Sequence, residues 1–151
     1  DILERNLSAD VYQESDCRAF ESYLMRDEKI IRGLISKSPF PIIVIKALHE
    51  AHDLAGLMSR FNSSKSIWMF REHADVVNSN MANWPGGRNQ LEEIVEDRLS
   101  AGWRGMHMTN ETHATVREYF HVDMNDASAL GLFWFYRNQL YFDQKFPSQQ
   151  V

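Results

Sequence analysis

Apolar residues recur at helical spacing from Asp16 to Ile35, where Phe20, Tyr23, Leu24, Ile30, Ile31, Leu34 and Ile35 alternate with Arg and Glu. This pattern predicts one or two amphipathic helices. Pro39 and Pro41 end that pattern. They introduce Ile42-Ile43-Val44-Ile45, a β-branched run without alternation, which reads as a strand buried on both faces of a parallel sheet. Asp53 is placed to cap a helix carrying Leu54, Leu57, Met58 and Phe61, and Asn62-Ser63-Ser64 breaks it before a second apolar run, Ile67 to Phe70. The order strand, helix, strand fits a right-handed βαβ unit, with Ile42 to Lys46 and Ser66 to Arg71 as neighbouring parallel strands. Helical spacing returns at Val76, Val77 and Met81 and stops at Trp84-Pro85-Gly86-Gly87. Further helices are expected from Asn89 to Leu99, Glu111 to Phe120 and Asp126 to Phe142, the last turning Leu130, Phe133, Trp134, Leu140 and Tyr141 to a core. Two strands among so many helices are too few for a complete doubly wound sheet.

Composition narrows the classes of function. The chain has 151 residues, 44% of them hydrophobic, enough for one core. A net charge of −5 argues against nucleic acid as a partner, since phosphate backbones need a basic face. The longest aliphatic run, Ile42 to Ile45, is far short of the roughly 20 residues that span a bilayer, so no membrane segment is expected. Cys17 is the single cysteine, which excludes an internal disulfide and a cysteine-based zinc site. The compartment is left open, with the cytoplasm favoured.

The chemistry concentrates in Lys65-Ser66-Ile67-Trp68-Met69-Phe70-Arg71-Glu72-His73-Ala74-Asp75-Val76-Val77-Asn78-Ser79. Here an arginine ends the second apolar run and a serine rides the helix that follows. A guanidinium offers a permanent charge and forked donors to a phosphate, and a serine hydroxyl adds a neutral donor. Asp75 and Ser79 lie one helical turn apart, so Asp75 is placed to hold Arg71 in position. His49-Glu50-Ala51-His52 looks metal-like, but the zincin pattern needs histidine at position 53, which is Asp53, and no metal site is expected. His73 follows Arg71 closely, while His107, His113 and His121 show no catalytic spacing. Trp103 and Trp134-Phe135-Tyr136 suit adenine stacking, although aromatic residues at helical spacing are more often core.

Taken together, Lys65-x-Ile67 through Arg71 followed by Asp75-Val76-Val77-x-Ser79 resembles the 3′-phosphate motif of sulfotransferases that use 3′-phosphoadenylyl sulfate. Val44-Ile45-Lys46 resembles the strand-end lysine of the same family, and Ala129 to Phe142 is similar to the aromatic helix of a bacterial branch. The resemblance spans roughly Asp16 to Phe142 and implies an α/β fold: a partial P-loop-like parallel sheet with flanking helices and a helix-rich C-terminal half. It implies transfer of a sulfuryl group from 3′-phosphoadenylyl sulfate to a hydroxyl or amine acceptor. Arg71 and Ser79 would anchor the 3′-phosphate of that cofactor, or of adenosine 3′,5′-bisphosphate, in one cleft. Lys46 would lie near the acceptor or the leaving phosphate, and His49 or Glu50 would serve as general base. The glycine-rich loop with Lys/Arg and Ser/Thr that cradles the phosphosulfate in this family has no counterpart in the chain. The 151 residues are therefore expected to be a single partial domain, a fragment without measurable transfer activity by itself. The competing expectations are a noncatalytic helical interaction module and a relative of P-loop kinases.

Overall fold

The computed structural model describes Arg5 and residues 8–61 and 63–146. The chain divides into two compact units, 1–50 and 51–151, each with its own packing. The fold class is mixed α/β, with a small parallel sheet, flanking helices and a helix-rich C-terminal half.

In the first unit, β1 (Ala9–Tyr12) pairs in parallel with β4 (Ile42–Ile45), register Ala9↔Ile42 to Tyr12↔Ile45. The parallel strand expected at Ile42 is present, but its partner is Ala9–Tyr12. Nor is it fully buried: Ile42 is exposed, and Ile43, Val44 and Ile45 are half-buried. The core forms from Ala9, Val11, Tyr12, Ala19, Phe20 and Ile31.

The helix expected over Asp16 to Ile35 is only half realised. Residues Glu28–Lys37 form α1, which buries Ile31. The preceding stretch is instead a hairpin of β2 (Phe20–Glu21) and β3 (Leu24–Met25), joined by Ser22 and Tyr23 at φ 50° and 66°. Positive φ at both central residues of a tight turn matches the right-handed twist of paired strands, and it stops a helix from passing through.

The second unit starts with α2 (Leu54–Arg60). Asp53 precedes this helix, yet its carboxylate makes no cap bond and instead meets the Arg60 guanidinium at 2.7 Å. The Ser66–Arg71 run, expected as a buried strand, forms no ladder among the described residues. It lies along α6 (Asp126–Asp143), with Trp68 Nε1 donating to Asn138 Oδ1 at 3.2 Å and Trp134 Nε1 donating to the Arg71 carbonyl at 3.0 Å. A tilted ring contact of Trp68 with Tyr141 and an edge contact of Phe70 with Trp134 complete the attachment. Its other side is open, leaving Ile67 86% and Met69 82% exposed.

Helices α3 (His73–Asn83), α4 (Gly87–Asp97) and α5 (Asn110–Tyr119) join α6 near the positions the spacing predicts. The side chains of Thr109 and Asn125 accept from the N–H groups of Thr112 and Ser128 and so cap α5 and α6. Leu91, Ile94, Val116, Ala129 and Tyr136 form the core of α4, α5 and α6. Tyr136 donates its hydroxyl to the Arg104 carbonyl at 2.7 Å, and burial pushes its pKa up. Between α3 and α4 the chain turns on Gly86 at φ 95°, and a Cβ on Gly87 would stand 2.5 Å from Leu130 Cγ. Glycine at 87 thus allows α4 to start against α6.

Candidate functional site

The residues singled out in the sequence fall into both units. In the second unit, Arg71 stands just before α3, not at the end of a buried strand. The extended run that delivers it is pinned to α6 by indole donors, leaving its guanidinium side chain 63% exposed. Asp75, one turn into α3, approaches Arg71 Nε at 3.9 Å, the loose holding contact that the i, i+4 spacing favours. His73 meets Glu72 at 2.5 Å and packs its ring against Trp134 at 5.8 Å. Ser79 is half-buried in the middle of α3, where its carbonyl accepts from Asn83 Nδ2.

This arrangement can receive an anion. The first N–H groups of a helix have no partner within it, and they carry the positive end of its dipole. Arg71 places a permanent cation beside that end, and Asp75 offsets part of its charge without a close contact.

In the first unit, Lys46 directly follows β4, its backbone N–H donating to the Tyr12 carbonyl at 2.9 Å and its side chain exposed. His49 is half-buried and lies edge-on to Tyr23, with ring centroids 6.2 Å apart. Glu50 Oε1 accepts from the Met25 N–H and so ties the β2–β3 hairpin to the turn after β4. Its other oxygen, Oε2, is shielded from solvent without a hydrogen-bond partner.

Glu14, two residues beyond β1, is a group the sequence reading overlooked. The Leu48 N–H donates to its carboxylate, while Oε1 is shielded and has no hydrogen-bond partner. Burial holds its pKa above the usual carboxylate range; Lys46 and the Leu48 N–H act against that shift, and Glu50 reinforces it. Asp16, two residues on, goes the other way because Arg18 hydrogen-bonds it through both oxygens. Glu14 also lines an open pocket of about 460 Å³, together with Ser15, Cys17, Tyr23 and Arg26. The signal that would have found it is position, because a carboxylate just past a parallel strand sits where such sheets gather functional groups.

Trp103 is flanked by the guanidinium carbons of Arg104 and Arg137, 5.3 and 5.0 Å from its ring centroid. Arg137 also donates to the Trp103 carbonyl, and Asn138 donates to the Trp134 carbonyl. Both side chains thus bond within the helical unit. Among the described residues, no group of three His, Cys, Asp or Glu side chains is placed to hold a metal ion, and no helix is long and apolar enough to cross a membrane.

No family model, curated protein or solved structure matches this chain.

Proposed function

We propose that the chain carries the adenosine 3′-phosphate site of a sulfuryl-transfer domain, one that moves a sulfuryl group from 3′-phosphoadenylyl sulfate to a hydroxyl or amine acceptor. The observation that carries this reading is the exposed, loosely paired Arg71 immediately before α3, with Ser79 on that helix. Arg71 and the helix start supply charge and donors for a phosphate, and Ser79 adds a neutral donor. Binding energy from the 3′-phosphate, remote from the reacting sulfur, would orient the cofactor.

The test is calorimetric titration of the chain with adenosine 3′,5′-bisphosphate. A charge-assisted hydrogen bond contributes about 1.5–3 kcal/mol, so Arg71→Ala weakens binding at least about tenfold. Ser79→Ala weakens it less, because a neutral donor is lost. Equal affinities for wild type and Arg71→Ala overturn the site.

One observation favours a second reading, a noncatalytic interaction module: Ile67, Met69 and Phe70 present apolar side chains to solvent in one short extended run. Loss of nucleotide binding as a result would move the preference there.

A further inference from the structure

The run that ends at Arg71 has an open backbone as well as exposed side chains. Its burial alternates with the period of a strand: Ser66 and Trp68 are half-buried, while Lys65, Ile67, Met69 and Arg71 are exposed. Trp68 and Phe70 hold the run against α6 through Asn138, Tyr141 and Trp134. Among the described residues, no backbone N–H or C=O of Ile67 to Phe70 is hydrogen-bonded to another segment. The chain is thus held extended by side chains while its backbone groups stay open. An extended edge of this kind is a template on which another strand can pair, and one already held in place costs less to order on binding.

We propose that residues 65–71 bind an extended peptide segment of a partner protein by strand addition, and that this segment carries apolar residues bracketed by two acidic ones. The proposal deepens the interaction-module reading, on which it rests, and needs no nucleotide. The bracket follows from charge. Lys65 and Arg71 share one side of the run, about 20 Å apart in a strand, with Ile67 and Met69 between them. A segment of pattern acidic-x-apolar-x-apolar-x-acidic sets a carboxylate opposite each cation and an apolar side chain opposite Ile67 and Met69, the cross-strand pairs that stabilise a ladder. Asp75 approaches Arg71 only to 3.9 Å, so the guanidinium keeps donors for the incoming carboxylate. A second copy of this chain is a poorer occupant. Antiparallel pairing centred on Trp68 sets Lys65 of one copy against Arg71 of the other, and parallel pairing in register sets each cation against itself.

The probe is a fluorescently labelled Glu-Thr-Val-Thr-Val-Thr-Glu peptide with blocked ends, titrated with the whole chain and followed by anisotropy. Replacing Ile67→Ser and Met69→Ser together weakens binding at least about tenfold, and both side chains are exposed, so the unfolding midpoint stays near that of the wild type. Lys65→Glu weakens binding less, and a peptide with lysine in place of both glutamates binds more weakly than the acidic one. Backbone pairing has its own readout. N–H groups along a strand alternate between its two edges, so N-methylation of one alternate set of peptide residues abolishes binding and methylation of the other set leaves it. Equal effects of the two sets overturn strand addition. If the double serine variant still loses binding in that case, the run is an apolar contact surface and the interaction-module reading survives. Unchanged binding by the double variant removes both. Equal binding of the lysine-ended peptide, or no binding of the acidic one, overturns the acidic partner. Dimerisation of the chain that the double variant abolishes gives the edge to a second copy and overturns the proposal.

Discussion

Ile42–Ile45 and Ile67–Phe70 are alike as sequence, two short apolar runs preceded by helix-breaking residues and followed by a basic residue at Lys46 and Arg71. The first is a strand in a parallel ladder with Ala9–Tyr12, and the second has no ladder among the described residues and is fastened to α6 by the side chains of Trp68, Phe70 and Trp134. Apolar character selects an extended, half-covered chain in both cases. Whether that chain becomes a strand depends on a second backbone offering its N–H and C=O groups, which local sequence cannot encode. The ends of the two runs differ accordingly. Beyond β1 and β4 the turn shields a carboxylate, whereas the second run ends in an exposed Arg71.

The widest separation between the two runs comes from proline. Lys46 donates its N–H to Tyr12, and Val44 lies two residues earlier in the same parity, so Val44→Pro removes a ladder donor. We expect a loss of about 3 kcal/mol or more in denaturant unfolding. Met69→Pro, at a site without a ladder, costs less than about 1 kcal/mol. Equal losses would mean that the second run is paired after all.

A smaller effect is expected at the fastening of the second run. Trp134→Phe keeps the ring against Phe70 and removes the donor to the Arg71 carbonyl, at a cost of about 1 kcal/mol. Backbone hydrogen exchange around Arg71 should rise with it, and unchanged exchange would show that the ring contacts alone hold the run.

The smallest effect is one of pH. Glu14 has a folded pKa raised by burial, so its contribution to stability is full below the unfolded value, near 4.5, and is lost as pH rises through the folded value. Glu14→Gln should therefore raise the denaturant midpoint at neutral pH, with the advantage vanishing in acid. Asp16 has the opposite sign: Arg18 lowers its pKa, so its contribution is present above the unfolded value, near 3.8, and is lost as pH falls through the folded value. Asp16→Asn should lower the neutral-pH midpoint slightly, as suits an exposed arginine partner.

What the sequence made legible follows the same division. Helices α3 to α6 were readable because apolar residues recur through each of them, and α3 ends at a strong breaker, Trp84-Pro85-Gly86. The β2–β3 hairpin was not, because Phe20, Tyr23 and Leu24 share the spacing of a helix face and the turn uses Ser22 and Tyr23 where glycine or asparagine would have announced it. β1 was hidden in four residues containing an aspartate, and without it Glu14 had no strand end to belong to. Spacing alone singled out Arg71 and Ser79, which stand just before α3 and in its middle, and the buried strand expected to present Arg71 does not form among the described residues.

Gly87 and Leu130 share one volume in the helical unit. Because any side chain at 87 meets the isobutyl group of Leu130, the two positions are coupled by volume: what fits at one depends on the size of the other. Alanine at 87 becomes admissible once 130 has shrunk to a smaller residue, whereas the reverse order passes through a strained intermediate.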